Sequence, residues 1–306
     1  VLRANPDPMI PTLRNTLLGS LSCLLLALNT LLWCSLLFLL ALPKWLLRHH
    51  RARRHIDPLL NHLATRWVTW NSRWIGLIQS SPWDLQGAET LRHAGWYLVN
   101  CNHQSWVDIF VLQRVLNGRI PLLKFFLKQQ LIHVPVIGLA WWALDFPFMK
   151  RHSMAALRAR PELRQQDRET TRRACEKFRL VPTSVMNFAE GTRITPEKHR
   201  ATASPYRHLL KPKAGAMAMA LNAMGSQFQS LIDVTIVYPD GVPSFWTFAS
   251  GRAGRIVVRV RELPIPAEFC TSDYTADPAF RARFHRWLAG VWAAKDAQID
   301  ALLAGR

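Results

Sequence analysis

The chain has 306 residues, 49% of them hydrophobic and 19% charged, which excludes a disordered tail and allows one large core with appendages. Its 39 Lys and Arg against 20 Asp and Glu leave a net charge of +19, so its surface attracts phosphate, whether of nucleic acid, anionic lipid or a small phosphorylated substrate. Charge alone favours nucleic acid, whereas the 13 Trp, several beside apolar runs, favour a membrane interface.

The first element is Thr16–Leu42, 27 residues without a charge. As a straight helix it would be about 40 Å long, more than the roughly 30 Å hydrocarbon core requires. A signal peptide has a shorter apolar region and a small-residue cleavage site, where here a basic block follows. A buried core helix would show a polar face. The run therefore predicts a membrane-inserted segment over residues 1–55, with a basic collar. Asn29-Thr30 at its centre leaves two forms open, one tilted span or a bent, re-entrant pair. Lys44, Arg48, Arg51, Arg53 and Arg54 follow it, against Arg3 and Arg14 before it. That asymmetry places the globular part on the cytoplasmic side. Met9 marks Val1–Pro8 as upstream reading or an alternative start. HHRARRH (49–55) reads as the collar at the membrane surface rather than a metal site.

Residues 56–82 form a connecting helix in which Trp67, Trp70 and Trp74 share one face. The stripe is either core packing or an interfacial helix, with Arg66 and Arg73 beside it. From residue 83 to 306 the pattern is α/β. Strands are expected at WYLVNC (96–101), around Pro121–Phe126, at DFPFMK (145–150), TSVMNFAE (183–190), LIDVTIVY (231–238) and RIVVRV (255–260). Helices are expected at 169–180, at KAGAMAMALNAMG (213–225) closed by Gly225, and at 276–305 with Pro278 near its start. The alternation predicts a mixed, mainly parallel sheet flanked by helices. The five cysteines (Cys23, Cys34, Cys101, Cys175, Cys270) are odd in number and lack metal-ligand spacing, so reduced thiols and no metal are expected.

Two polar clusters end buried strands, where α/β folds place reactive groups. NHQSWVD (102–108) holds His103, Ser105 and Asp108, and as a string it fits a serine triad, a His–carboxylate pair or ordinary strand-end polarity. Ser105 lacks the glycines of a nucleophile elbow. In the pair reading, Asp108 fixes the imidazole tautomer and steadies the imidazolium. FAEGTR (188–193) offers a carboxylate at Glu190, backbone approach at Gly191, a hydroxyl at Thr192 and a guanidinium fork at Arg193. Taken alone it is equally a charged turn. Between the clusters lies KQQLIHVPVIG (128–138), with Lys124 spaced one helical turn before Lys128, and VYP (237–239) follows.

These four blocks, in this order, resemble those of the glycerolipid acyltransferase family, whose best-known members are the 1-acyl-sn-glycerol-3-phosphate acyltransferases. The runs FLKQQL, ALDFPFMKR and TRRACEKFRL point within it to a bacterial inner-membrane branch. The resemblance implies acyl transfer from a thioester, acyl-CoA or acyl-ACP, to the free hydroxyl of a lysophospholipid, with no further cofactor. It makes His103 the general base and Asp108 its partner, and assigns Lys128, Glu190, Gly191, Thr192 and Arg193 to substrate binding. Gln130 stands where the family often has Glu, and Pro239 matches a shaping proline. Expected partners are the lysolipid acceptor, the acyl thioester donor and membrane lipids. No nucleic-acid motif is present. A membrane-tethered basic binding module is the alternative that charge alone would support.

Overall fold

The computed structural model describes residues 13–47, 50–79, 81–149, 160, 162, 169, 176, 178, 181–271, 274 and 277–305. Met9 and the residues before it, Cys175 and most of the helix expected at 169–180 lie outside the described residues.

Two long helices come first, α1 (Leu13–Leu47) and α2 (His50–Ile78). Each charge-free turn of α1 satisfies its own backbone, so the helix runs unbroken through Asn29-Thr30. The polar pair is not a bend but a seam between helices. Asn29 Nδ2 donates to Trp67 O (3.1 Å) and Asn71 Oδ1 (2.7 Å), and Trp67 Nε1 donates to Thr30 Oγ1 (3.1 Å). Further along, Lys44 meets Asp57 at 2.8 Å, so the two helices pack as an antiparallel hairpin. α2 passes without a break across residue 55, where collar and connecting helix were expected to meet. Its buried seam is Leu60, Ala64, Val68, Asn71 and Ile75, beside the Trp stripe rather than on it. Trp67 faces α1, while Trp70 is exposed beneath the Arg73 guanidinium.

Beyond the hairpin the chain forms β1 (Trp83–Gln86), β2 (Trp96–Cys101), α3 (Val107–Leu116), β3 (Leu123–Phe125), β4 (Leu127–Lys128), α4 (Ile137–Ala143) and β5 (Phe148–Met149). Then come β6 (Ser184–Phe188), α5 (Pro196–Ala201), α6 (Gly215–Met224), β7 (Phe228–Val237), α7 (Phe245–Ala249), β8 (Ile256–Leu263), α8 (Glu268–Thr271) and α9 (Pro278–Ala304). Among the described residues the main sheet has six strands in the order β1-β8-β7-β2-β6-β3. β7, β2, β6 and β3 are parallel, and β8 turns antiparallel to β7 with β1 parallel beside it. The expected mixed, mainly parallel sheet is what forms. β5 pairs with β4 in a separate two-stranded ribbon, so DFPFMK is a strand outside the main sheet.

β2 reads as an unbroken apolar run because both its faces are covered. Tyr97, Val99 and Cys101 pack toward α3, and Leu98 packs toward α6 and α9. α9 starts as its sequence requires, with Asp277 Oδ1 accepting from Ala279 N–H and Pro278 at the first turn. Gly225 ends α6 in a right-handed conformation (φ −49°), not the left-handed cap that its position suggested. Space explains the residue: a Cβ there would sit 2.6 Å from Cys270 Cα.

The hairpin lies along this domain instead of projecting from it. Gly19 of α1 packs under the Trp246 ring of α7, and Lys44 donates to Ala143 O (3.0 Å) beside α4. The separation of the two contacts along a helix is about 38 Å. α1 is the one helix among the described residues long and apolar enough to cross a membrane. Leu17, Leu21, Leu24, Leu28, Leu32, Leu36 and Leu39 form its exposed face.

Candidate active site

Both polar clusters open at the carboxyl ends of adjacent parallel strands, β2 and β6. Asn102 acts as one more rung of the sheet: its amide donates to Ile236 O (2.8 Å) and accepts from Ile236 N (2.9 Å). The backbone is then free to turn at His103, and α3 begins four residues later. His103 N–H donates to Glu190 Oε1 (2.8 Å), and His103 C=O accepts from Ile194 N–H (2.9 Å), so the clusters clasp each other through backbone and carboxylate.

His103 Nδ1 lies 2.8 Å from Asp108 Oδ2. Asp108, fully buried in the first turn of α3, also accepts from the N–H groups of Gln104 (2.6 Å) and Ser105 (2.9 Å). These donors hold the carboxylate aimed at the ring. Phe188 stacks on the imidazole at 3.9 Å between centroids, so the ring plane is fixed from two sides. Ser105 is turned away: its hydroxyl donates to Pro243 O (2.8 Å) and accepts from Val107 N–H (3.2 Å). The His–carboxylate pair is thus assembled, and Ser105 serves the turn that carries it.

Gly191 sits at φ +70°, a left-handed position suited to glycine, at the corner where the chain leaves β6. A Cβ there would meet the Lys213 side chain at 3.2 Å. The Arg193 guanidinium lies 4.7 Å above the Trp106 ring. Lys198 Nζ bonds Thr192 Oγ1 (2.8 Å) and Arg193 O (3.0 Å), bracing the turn from α5. Glu190 points inward, bridging His103 N–H and Leu210 N–H (2.8 Å each). Burial pushes its carboxyl up to about 7, against the opposing pull of those N–H groups and of Lys295.

One apolar cavity of about 720 Å³ joins these parts. Leu26, Trp33 and Leu37 of α1 and Leu63 and Trp67 of α2 form one wall, while His103, Lys128, Gly191, Thr192 and Arg193 stand on the domain side. Lys128 is exposed on β4. Lys124 is not its helical neighbour: it lies on β3, buried, donating to Leu144 O (2.8 Å).

A family model described as Acyltransferase matches residues 83–239, half of the chain and the stretch that carries all four blocks. The chain belongs to the acyltransferase family. Mouse 1-acyl-sn-glycerol-3-phosphate acyltransferase gamma is 25% identical over 185 residues, 57% of this chain and 44% of that protein. The human delta enzyme of the same name is 25% identical over 182 residues, 55% of this chain and 45% of that one. The chain thus spans under half the length of these relatives. A crystal structure of the 1-acyl-sn-glycerophosphate (LPA) acyltransferase PlsC from Thermotoga maritima superposes with a TM-score of 0.55. That match covers 95% of this chain and 98% of that one at 17% identity, a likeness of fold.

Within the acyltransferase domain, three contributors escaped the sequence reading. Phe188 and Trp106 carry no titratable group to mark them in the sequence, yet Phe188 stacks on His103 and Trp106 lies under the Arg193 guanidinium. Lys198 is one of six cations between residues 193 and 213, and no spacing rule singles it out. Among the described residues no group of His, Cys, Asp and Glu is arranged to hold a metal.

Proposed function

We propose that the chain transfers a fatty acyl group from a thioester donor to the free hydroxyl of a lysophospholipid, with His103 as general base. The observation that carries this reading is the His103–Asp108 pair at 2.8 Å, opening onto an apolar cavity whose rim also holds Arg193 and Lys128. With Nδ1 held by Asp108, Nε2 is the nitrogen left to take the proton of the acceptor hydroxyl. The oxygen attacks the thioester carbon, the tetrahedral oxyanion collapses, the C–S bond breaks, and the imidazolium returns its proton to the leaving thiolate. General-base help of this kind contributes typically ~10²–10⁴-fold.

The leucine- and tryptophan-lined wall suits alkyl chains. Arg193, Lys128 and the Gly191–Thr192 backbone suit a phosphomonoester, so 1-acyl-sn-glycerol-3-phosphate is the proposed acceptor and phosphatidic acid the product. The similar enzymes carry that acceptor in their names. Glu190, turned inward, would position the cluster rather than touch substrate. The donor is a coenzyme A or acyl carrier protein thioester. The proposed place is the bacterial inner membrane, with the domain on the cytoplasmic side. Because α1 is docked at both ends, its leucine face would lie in one leaflet. Exposed Leu139 and Trp142 of α4 and Phe245 and Trp246 of α7, helices that pack on α1, would flank it there.

The test is to incubate membranes holding the full chain with labelled acyl donor and a panel of lysolipids, beside His103→Ala. Label should enter phosphatidic acid with the wild type and not with the variant at equal protein level. Full activity in His103→Ala would remove the base assignment, and preference for another lysolipid would move the acceptor.

A further inference from the structure

Asp108 accepts four hydrogen bonds, and three of them fall on Oδ2 from its own loop: His103 Nδ1, Gln104 N–H and Ser105 N–H. The fourth comes from far along the chain. Tyr238, the residue after β7, donates its hydroxyl to Asp108 Oδ1 at 2.7 Å. Both side chains are buried, so without Tyr238 that oxygen would face no solvent. It would become a buried acceptor without a partner.

Among the described residues no neighbouring group can take over the task. Besides His103, the titratable and charged groups near this pair among the described residues are Cys101 on β2, Glu190 after β6, Asp233 on β7 and Lys295 on α9. The Cys101 thiol approaches Asn102 Oδ1 at 3.6 Å, and burial holds it protonated. Glu190 is spent on His103 and Leu210 N–H groups. Asp233 is paired with Arg261 (2.6 Å) and Lys295 (2.9 Å). Burial first, and then the Asp108 charge, push the Tyr238 hydroxyl well above the usual range for tyrosine, so it stays a donor at every working pH.

We propose that Tyr238 is a positioning residue for acyl transfer: its hydroxyl pins the Asp108 oxygen that His103 does not use, fixing the carboxylate that orients the base. It does so across the sheet, from the strand on the other side of β2. The pinning also draws charge away from Oδ2, which makes Asp108 a weaker attractor of the imidazolium proton. The inference rests on reading His103 as the base.

Its test is the pH dependence of kcat and kcat/KM for membrane-embedded Tyr238→Phe, which keeps the ring and loses only the hydroxyl. With one donor fewer, Asp108 should hold the imidazolium to higher pH. The acid limb should then move up by roughly half to one pH unit, and kcat at neutral pH should fall about tenfold, with KM for both substrates within about twofold. Replacing Tyr238 by 3-fluorotyrosine, a more acidic phenol that keeps the fold, should move the same limb down. An acid limb unmoved by both replacements would reduce Tyr238 to packing and overturn the proposal, whatever the loss in rate. His103→Ala is measured alongside. If it stays active, the base assignment fails and takes Tyr238 with it; if it is dead while both limbs stay put, only the Tyr238 proposal fails.

Discussion

Single residues here do work that their positions in the chain do not advertise. Glu190 reads in FAEGTR as a carboxylate of a charged turn or a substrate-binding block, yet it is buried and bridges two backbone N–H groups from different loops. Its carboxyl, pushed up to about 7 by burial, binds a proton in the folded chain that the unfolded chain releases near the ordinary value of 4.5. The stability this group contributes is therefore fully present below about pH 4.5 and is lost as pH rises through about 7. The span corresponds to on the order of 3 kcal/mol. Between pH 5 and 7.5 the melting temperature of the wild type in detergent should fall by a few degrees more than that of Glu190→Gln. Equal slopes for the two proteins would contradict this. Arg193 illustrates the same lesson in another way, since its stacking on Trp106 fixes where the guanidinium fork points.

At the scale of elements, the α1–α2 hairpin is held by a polar seam inside an apolar pair. Asn29 supplies two of its hydrogen bonds, and its substitution would leave Asn71 Oδ1, on a buried residue, without that donor. Asn29→Leu should destabilise the hairpin by about 1–3 kcal/mol despite raising its hydrophobicity. Protease cleavage within α2 should rise in that variant, and an unchanged cleavage rate would show that apolar packing alone holds the pair. α4 shows a different kind of local decision. Val136, ahead of it, sits at φ 63° with Ile137 N–H donating to Pro135 O (2.7 Å), a strained γ-turn for a β-branched residue. That turn sets the angle at which α4 reaches the cavity wall and α1.

For the molecule as a whole, the balance lies between a net charge of +19 and one exposed leucine face. In the proposed membrane setting, apolar burial in lipid would supply depth, and the basic surface would add attraction to anionic headgroups that salt weakens. Replacing exposed Leu24 and Leu28 by Glu should cost several kcal/mol of membrane binding and shift protein from the pellet to the supernatant when membranes are sedimented. Substituting buried Leu60 and Val68 in the same way should unfold the hairpin instead. If the Leu24/Leu28 variant stays fully in the pellet, another surface carries attachment.

The sequence by itself determined the α/β class, the long apolar helix, most strands of the domain and the two polar clusters, because each is written locally. Period-2 and unbroken apolar runs mark strands, and a charge-free run marks a helix that must meet lipid or protein. His103 and Asp108 were legible for the same reason, being five positions apart on one turn. Only the tertiary structure decided that Asn29-Thr30 joins two helices instead of bending one, that Lys124 is buried while Lys128 faces the cavity, and that Glu190 points inward. It also decided that Tyr238 completes the Asp108 shell. These depend on which strand lies beside which and on what covers each face. Contacts 20 to 130 residues apart in the chain leave no periodic trace in it.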